Sequence, residues 1–398
     1  MKSICLYNGT VLSGFTAMEK SSVLIENGTI TGVLSDRHAL QKPISPETES
    51  INAEGAFIAP GFIEAHCHGY GGYATCDALF PAESLTKSAE ESMIELSRVL
   101  VKHGVTAFNP TAYPAQESIM PESLSKLASA IGKEDGARIM GFHLEGPFLS
   151  KEKPGVMRPE TVYPINLKLM EDLWNASGAH IVNMTVAPEL PQIKELTAFC
   201  AEKGIILQAG HTNASYDDIV EGMQEGICHC THMFNVMSKL DQRFPNAVGA
   251  ILSHPEYSCE IIADGLHVHP RLVKMLSLTR SIDKIVLITD SLKCTGQKTG
   301  PFFANGEEMN YSGGLFRRKK DDIIAGSGMT IMQGIQNLIK FGFTLEDAVR
   351  TASTNPARIL HYQKKGLIAA GMDADITVFD KDFNIKVTIV GGEVRYKA

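Results

Sequence analysis

The sequence predicts an α/β fold: a TIM-like (β/α)8 barrel with a small β-sandwich built from both ends of the chain. Three observations predict it. Short apolar runs alternate eight times with helix-like stretches through the middle of the chain, both ends are β-rich and full of turns, and five of the apolar runs finish on a residue of metal-ligand type. A barrel of parallel strands gathers its strand ends into one mouth, where ligands distant in sequence meet. An open doubly wound sheet spreads the same strand ends along a line.

At the start of the chain, Ser3–Leu6, Ser22–Ile25 and Thr29–Leu34 are short runs split by Asn8-Gly9 and Asn27-Gly28. Asn-Gly between such runs signals a hairpin. Ala374–Phe379 and Ile385–Tyr396 have the same texture at the other end. Residues 1–55 and 361–398 are therefore expected to form one small domain around a barrel of residues 56–360.

Eight barrel strands are expected at Phe62–His66, Ala107–Pro110, Arg138–Leu144, His180–Val186, Ile205–Ala209, Ile227–Thr231, Cys259–Ala263 and Lys284–Thr289. The clearest intervening helices are Ala82–His103, Leu190–Lys203, Tyr216–Glu225 and Pro270–Thr279. Thr299–Ile324 reads as a hairpin-like insertion, followed by closing helices at Met329–Lys340 and Leu345–Thr354.

Bulk properties narrow the function. The chain carries 37 Lys and Arg against 45 Asp and Glu, and its longest basic run is Arg317-Arg318-Lys319-Lys320. That argues against a nucleic-acid face, which needs a concentrated positive patch. The apolar stretch after Met1-Lys2-Ser3 is too short for a leader, and no run approaches membrane-spanning length. The eight cysteines are scattered, so reduced thiols, a cytoplasmic setting and no membrane partner are expected.

His66 and His68 stand at i and i+2, on one side of a strand, with Cys67 facing away. Glu145 ends the run Ile139–Leu144, where a carboxylate is costly without a cation. His211 and His232 lie one strand–helix–strand step apart. Together these residues form a His and carboxylate set suited to zinc or iron. Asp290 ends the last apolar run, where a carboxylate can move a proton between water and leaving group. Cys228-His229-Cys230 lacks a second cysteine pair for a closed zinc site, so both cysteines are expected in the core.

Pro60-Gly-Phe-Ile-Glu-Ala-His-Cys-His-Gly69, His143-Leu-Glu-Gly-Pro-Phe148, Gly210-His-Thr-Asn213, Thr231-His-Met-Phe-Asn235, Ala263-Asp-Gly-Leu-His-Val268, Ile288-Thr-Asp290, Ala325-Gly-Ser327 and Asn355-Pro-Ala-Arg358 resemble the amidohydrolase superfamily. The resemblance spans nearly the whole chain and points to the branch that removes acetate from N-acetylated amino-sugar phosphates. It implies Glu145, His211 and His232 on a main divalent metal, His66 and His68 on a second, and Asp290 as general base and then acid. It implies substrate contacts from Val156, Asn235, Val236, His267, Ile324, Ala325 and Gly326, and from Arg243 reaching across a homodimer. The implied substrate is N-acetylglucosamine 6-phosphate, with the galactose epimer or another N-acyl amino sugar as the alternative. A catalytically silent scaffold is the reading from another class.

Three departures from the family pattern bear on the sugar. Met157 stands where many members carry histidine, Val236 replaces alanine, and the histidine often seen before Arg243 is missing. The fourth strand, His180–Val186, has no lysine, which separates the chain from relatives that bridge two metals with a carboxylated lysine.

Overall fold

Polar side chains sit inside a barrel whose strands are otherwise apolar, and this combination shapes the molecule. The computed structural model describes residues 3–39 and 48–398; Met1 and Lys2, which bear on the expected lack of a leader, lie outside them. Eight parallel strands follow one another around the barrel: β1 (Phe62–Cys67), β2 (Val105–Ala112), β3 (Phe142–Glu145), β4 (Ile181–Val186), β5 (Ile206–Ala209), β6 (His229–Cys230), β7 (Ser258–Ile262) and β8 (Ile285–Ile288). Closure back to β1 is made just past β8, where Asp290 N donates to His66 O at 3.0 Å and Ser291 bridges Cys67.

Both faces of each strand are covered, so runs such as Ile-Val-Leu-Ile in β8 are apolar throughout and fully buried. The interior is different. Asn109, Asn183, Gln208 and Glu260, from β2, β4, β5 and β7, are each wholly buried. They link in a chain: Asn109 donates to Asn183 at 3.1 Å, Asn183 to Gln208 at 3.1 Å, and Gln208 to Glu260 at 3.1 Å. Tyr362 closes the lower end by donating to Asn109 at 2.7 Å. Buried polar groups are tolerated when every member is paired in this way.

The two chain ends share one sheet, as expected. Phe57–Pro60 pairs antiparallel with Ile376–Phe379 and parallel with Ser3–Ser13, joining the N-terminal strands to Ile385–Val390 and Glu393–Lys397. Its core holds Ile4, Leu6, Val23, Ile25, Ile58, Ile376 and Ile389. Asn27-Gly28 makes the expected tight hairpin, both residues having positive φ. Asn8-Gly9 does not. It lies inside the strand Ser3–Ser13, whose register shifts there, and the chain turns back only between Ser13 and Thr16. Gly9 packs against Ile58 so closely that a Cβ would sit 2.5 Å from its side chain, so the residues form a bulge that bends the strand over its neighbour.

Other differences follow local rules. The third expected strand is broken at Gly141 (φ 136°), where a Cβ would fall 2.6 Å from His180 O. The first long helix covers only Ala89–Leu100, because Ser88 caps it by accepting from Glu91 N. The sixth strand is two residues long, and Cys228, expected in the core, is exposed just before it. The insertion is a four-stranded antiparallel sheet: Phe302–Ala304, Glu307–Ser312, Leu315–Arg318 and Ile324–Ser327. Ser327 pairs with Ser291, and its N donates to Asp290 O at 2.8 Å, which fixes this sheet over the barrel mouth.

Candidate active site and metal centre

At the C-terminal ends of the strands, Glu145 is the point on which four histidines converge. His232 Nε2 is 3.0 Å and His211 Nε2 3.2 Å from Glu145 Oε1; His68 Nε2 is 3.0 Å from Oε2; His66 Nε2 lies 3.5 Å from Oε1. All five side chains are buried. They form two ligand sets that share Glu145: His66, His68 and Glu145, and Glu145, His211 and His232.

The outer ring nitrogens reveal what the centre needs. His66 Nδ1 faces the Glu260 carboxylate at 3.1 Å, His68 Nδ1 the Thr111 carbonyl at 3.1 Å, and His211 Nδ1 the Lys153 carbonyl at 3.2 Å. Carbonyls and carboxylates only accept, so each Nδ1 carries a proton, which leaves Nε2 as the nitrogen able to offer a lone pair inward. His211 and His232 bring their Nε2 atoms within 3.2 Å of each other. Lone pairs crowded around a carboxylate repel unless a cation lies among them. Imidazole and carboxylate donors oriented by outer partners are the chemistry that holds a divalent metal.

Asp290 stands beside this cluster, its Oδ1 3.6 Å from His66 Nε2 and 3.5 Å from His68 Nε2. Burial, with Glu145, Glu260 and Glu64 nearby, drives its carboxyl well above the ordinary range, against the pull of His66. Burial acts against charge on His66, but Glu145, Asp290 and Glu260 outweigh it and push its pKa to about 10 without a metal, so Nε2 then binds a proton in the place a metal ion would take. Burial raises Glu64 to about 7.

The backbone is strained where the chemistry sits. His211 (φ 48°), His232 (φ 25°) and Asp290 (φ 49°) all adopt left-handed conformations, as do Phe234 and Val236. Such conformations cost on the order of 1–3 kcal/mol each and persist where the surroundings impose them. Gly326 (φ 36°) lets the chain lie on Asp290: a Cβ there would be 2.5 Å from Asp290 O.

A cavity of about 360 Å³ opens over the cluster. Its lining brings together His68, Glu145, His211, His232 and Asp290 with the expected substrate contacts Val156, Asn235, Val236, His267, Ile324 and Gly326, and with Met157. His66 lies beneath, fully buried, and Ala325 points into the packing rather than the cavity. His267 Nδ1 is 2.6 Å from Asp264 Oδ2. Arg243 is not in the lining; it lies on an exposed segment between exposed Leu240 and Phe244.

Sequence reasoning missed four residues. Tyr113 stacks flat on His68, with ring centroids 3.7 Å apart. Glu260 orients His66, and Glu64 accepts from Thr289 N at 3.2 Å, steadying the end of β8. Arg317 lines the cavity from the insertion sheet. Glu64 and Glu260 did leave a signal, a carboxylate inside an apolar run, which is the same signal that marks Glu145. Tyr113 left none, and Arg317 stood only in the short basic run Arg317-Arg318-Lys319-Lys320, with nothing to tie it to the barrel mouth.

The fold and site define a hydrolase of a known class. The chain belongs to the amidohydrolase family, whose model matches residues 57–395. Its relatives are more specific. It is 28% identical to N-acetylglucosamine-6-phosphate deacetylase of Bacillus subtilis (strain 168), over 99% of this chain and 98% of that one. It is also 28% identical to the deacetylase of the same name from Vibrio furnissii, over 99% and 95%. Among solved structures, an Asp→Ala variant of N-acetyl-D-glucosamine-6-phosphate deacetylase from Mycobacterium smegmatis, in complex with N-acetyl-D-glucosamine-6-phosphate, superposes with a TM-score of 0.88. The two are 26% identical, and the match covers 100% of both chains. The Thermotoga maritima deacetylase gives 0.85 at 26% identity, over 99% of this chain and 100% of that one.

Proposed function

We propose that this chain removes acetate from N-acetylglucosamine 6-phosphate in a metal-dependent reaction, giving glucosamine 6-phosphate. The observation that carries this reading is the cavity itself: two ligand sets sharing Glu145, Asp290 beside them, and a largely apolar wall that also carries Asn235 and His267. Glu145, His211 and His232 would hold one divalent ion, zinc or iron, and His66 and His68 with Glu145 a second. A bound ion supplies Lewis acidity toward water and the amide carbonyl.

The chain's own groups do the rest. Asp290 takes the proton of the attacking water on its carboxylate and returns it to the amine nitrogen, without which that nitrogen leaves poorly. The buried setting that raises its affinity for a proton suits the second half of that task. Asp264 fixes His267 through Nδ1, leaving Nε2 for the phosphate. Asn235, with Val156, Val236 and the Ile324–Gly326 backbone, would position the sugar, while Met157 offers an apolar face. Tyr113 holds the plane of His68. Arg243, exposed between two exposed apolar residues, suits delivery to the cavity of a second subunit in a homodimer. Residues 1–55 and 361–398 are taken as the two parts of one supporting domain around 56–360, with Phe57–Pro60 lending that domain the strand that joins them.

The test is acetate release by metal-loaded protein from N-acetylglucosamine 6-phosphate, its galactose epimer and unphosphorylated N-acetylglucosamine. Preference for the first supports the reading. Met157 and Val236 give the epimer a specific claim, since both line the sugar cavity, and faster turnover of the epimer would replace one substrate with the other.

A further inference from the structure

Two adjacent arginines on the insertion strand Leu315–Arg318 are committed very differently. Every guanidinium nitrogen of Arg318 is engaged: Nε and Nη2 donate to Asp321 at 2.9 and 2.6 Å, and Nη1 donates to Val156 O at 2.9 Å. Arg318 is buried and clamps the insertion sheet to the loop that carries Val156 and Met157. Arg317 uses Nη1 alone, donating to Asp322 O at 2.9 Å with Asp322 Oδ2 at 3.4 Å. Among the described residues, its Nε and Nη2 have no protein partner.

The residue that carries those free donors is at the cavity. Arg317 lines it, and is the one arginine or lysine among the described residues that do. Its cross-strand partner is Ile324, which also lines the cavity, so Arg317 is set beside the backbone proposed to position the sugar. The turn that leads into its strand reaches the His267 segment: a Cβ on Gly314 would be 2.9 Å from Leu266. Arg317 and His267 both line this one cavity. Its carboxylate contact, Asp322, is mostly exposed and offers weak competition.

We infer that Arg317 is a specificity-determining residue that binds the phosphate of the substrate from within the same subunit, opposite the metal ligands and together with His267. This rests on the proposed sugar-phosphate reading and gives the cavity a cation of its own, separate from Arg243. A guanidinium whose Nε and Nη2 are both free pairs well with phosphate oxygens, and in a partly enclosed cavity such a charge-assisted contact discriminates strongly against a neutral hydroxyl.

The experiment compares kcat/KM for N-acetylglucosamine 6-phosphate and for unphosphorylated N-acetylglucosamine in metal-loaded wild type, Arg317→Ala, Arg317→Gln and Arg317→Lys. Arg317→Ala and Arg317→Gln should each lower the preference for the phosphorylated sugar by about tenfold or more, through KM rather than kcat. Arg317→Lys should recover part of it. If one variant fails to fold, the others carry the same comparison. A wild type that prefers the phosphorylated sugar, with variants that keep that preference, overturns the role of Arg317 and leaves the proposed activity standing. An equal loss on both sugars also overturns it, because a merely structural role predicts that result. A wild type with no preference for phosphate overturns both.

Discussion

Asp290, partly exposed at the cavity, and Glu260, fully buried, are both carboxylates beside His66, yet they face it from different sides and should fail differently. Asp290 lies at the inner nitrogen, on the cavity side. Asp290→Asn should keep its metal and lose turnover by about 10²–10⁴, the usual worth of a positioned acid–base. Metal analysis beside kcat checks this, and a near-normal rate removes Asp290 from the mechanism. Glu260 holds the outer nitrogen at 3.1 Å. Glu260→Ala should weaken metal binding by about 10–100-fold, because an outer partner fixes the tautomer and basicity of the ligand. Glu260→Gln keeps an acceptor and should be milder; titration of the metal-free protein distinguishes the two. What the sequence disclosed at this scale has a clear limit. Glu145, His211, His232 and Asp290 were legible because each ends an apolar run, whereas Tyr113 matters only through a stacking contact across two strands. Cys228 was misread for a related reason. Alternation along a strand was assumed there, but the strand begins only at His229.

At the scale of elements, the insertion sheet depends on one glycine and one cap. Gly326 has φ 36° and lies on Asp290 O, so Gly326→Ala introduces both backbone strain and a contact far below van der Waals distance. We expect activity to fall by at least about tenfold while the thermal midpoint moves only a few degrees, since the displaced atoms, Asp290 O and the Leu292 side chain, lie at the cavity rather than in the main barrel core. Unchanged kcat/KM in this variant would show that the loop tolerates the shift. The following helix, Ile331–Lys340, starts from a reciprocal cap between Thr330 and Gln333. Thr330→Ala should cost about 1 kcal/mol in denaturant unfolding. The existence and order of the elements could be read from the sequence; their ends often could not. Asn8-Gly9 carries a hairpin dipeptide, but Ile58 packs against it from another strand, and that tertiary contact decides for a bulge.

For the whole molecule, the clustered lone pairs around Glu145 predict that the metal is also structural. Chelation should lower the thermal midpoint by roughly 5 °C or more, and re-addition of zinc or iron should restore it. An unmoved midpoint would mean that the cluster is held by packing alone. The junction between barrel and end sheet is a second point of dependence. Buried Lys365 donates to Asp375 at 2.5 Å, and Asp375 O accepts from Gly61 N at 2.9 Å at the entrance to β1. Lys365→Ala leaves Asp375 buried without its cation and should cost about 3–5 kcal/mol in equilibrium unfolding. The pairing of the two chain ends was foreseeable from their texture. This ion pair was not, because nothing in the sequence ties Lys365 to a strand that begins at Phe62.

The shared end sheet also sets an order of events during synthesis. Phe57–Pro60 leaves the ribosome more than three hundred residues ahead of Ile376–Phe379, the strand that completes its pairing. At about 5–20 residues per second, that edge waits roughly 15–60 s with its backbone donors and acceptors uncovered. The nascent chain must therefore shelter an unfinished sheet while the whole barrel assembles. Its last two dozen residues, far from any reacting atom, are the ones whose loss would leave a sticky edge on every molecule made.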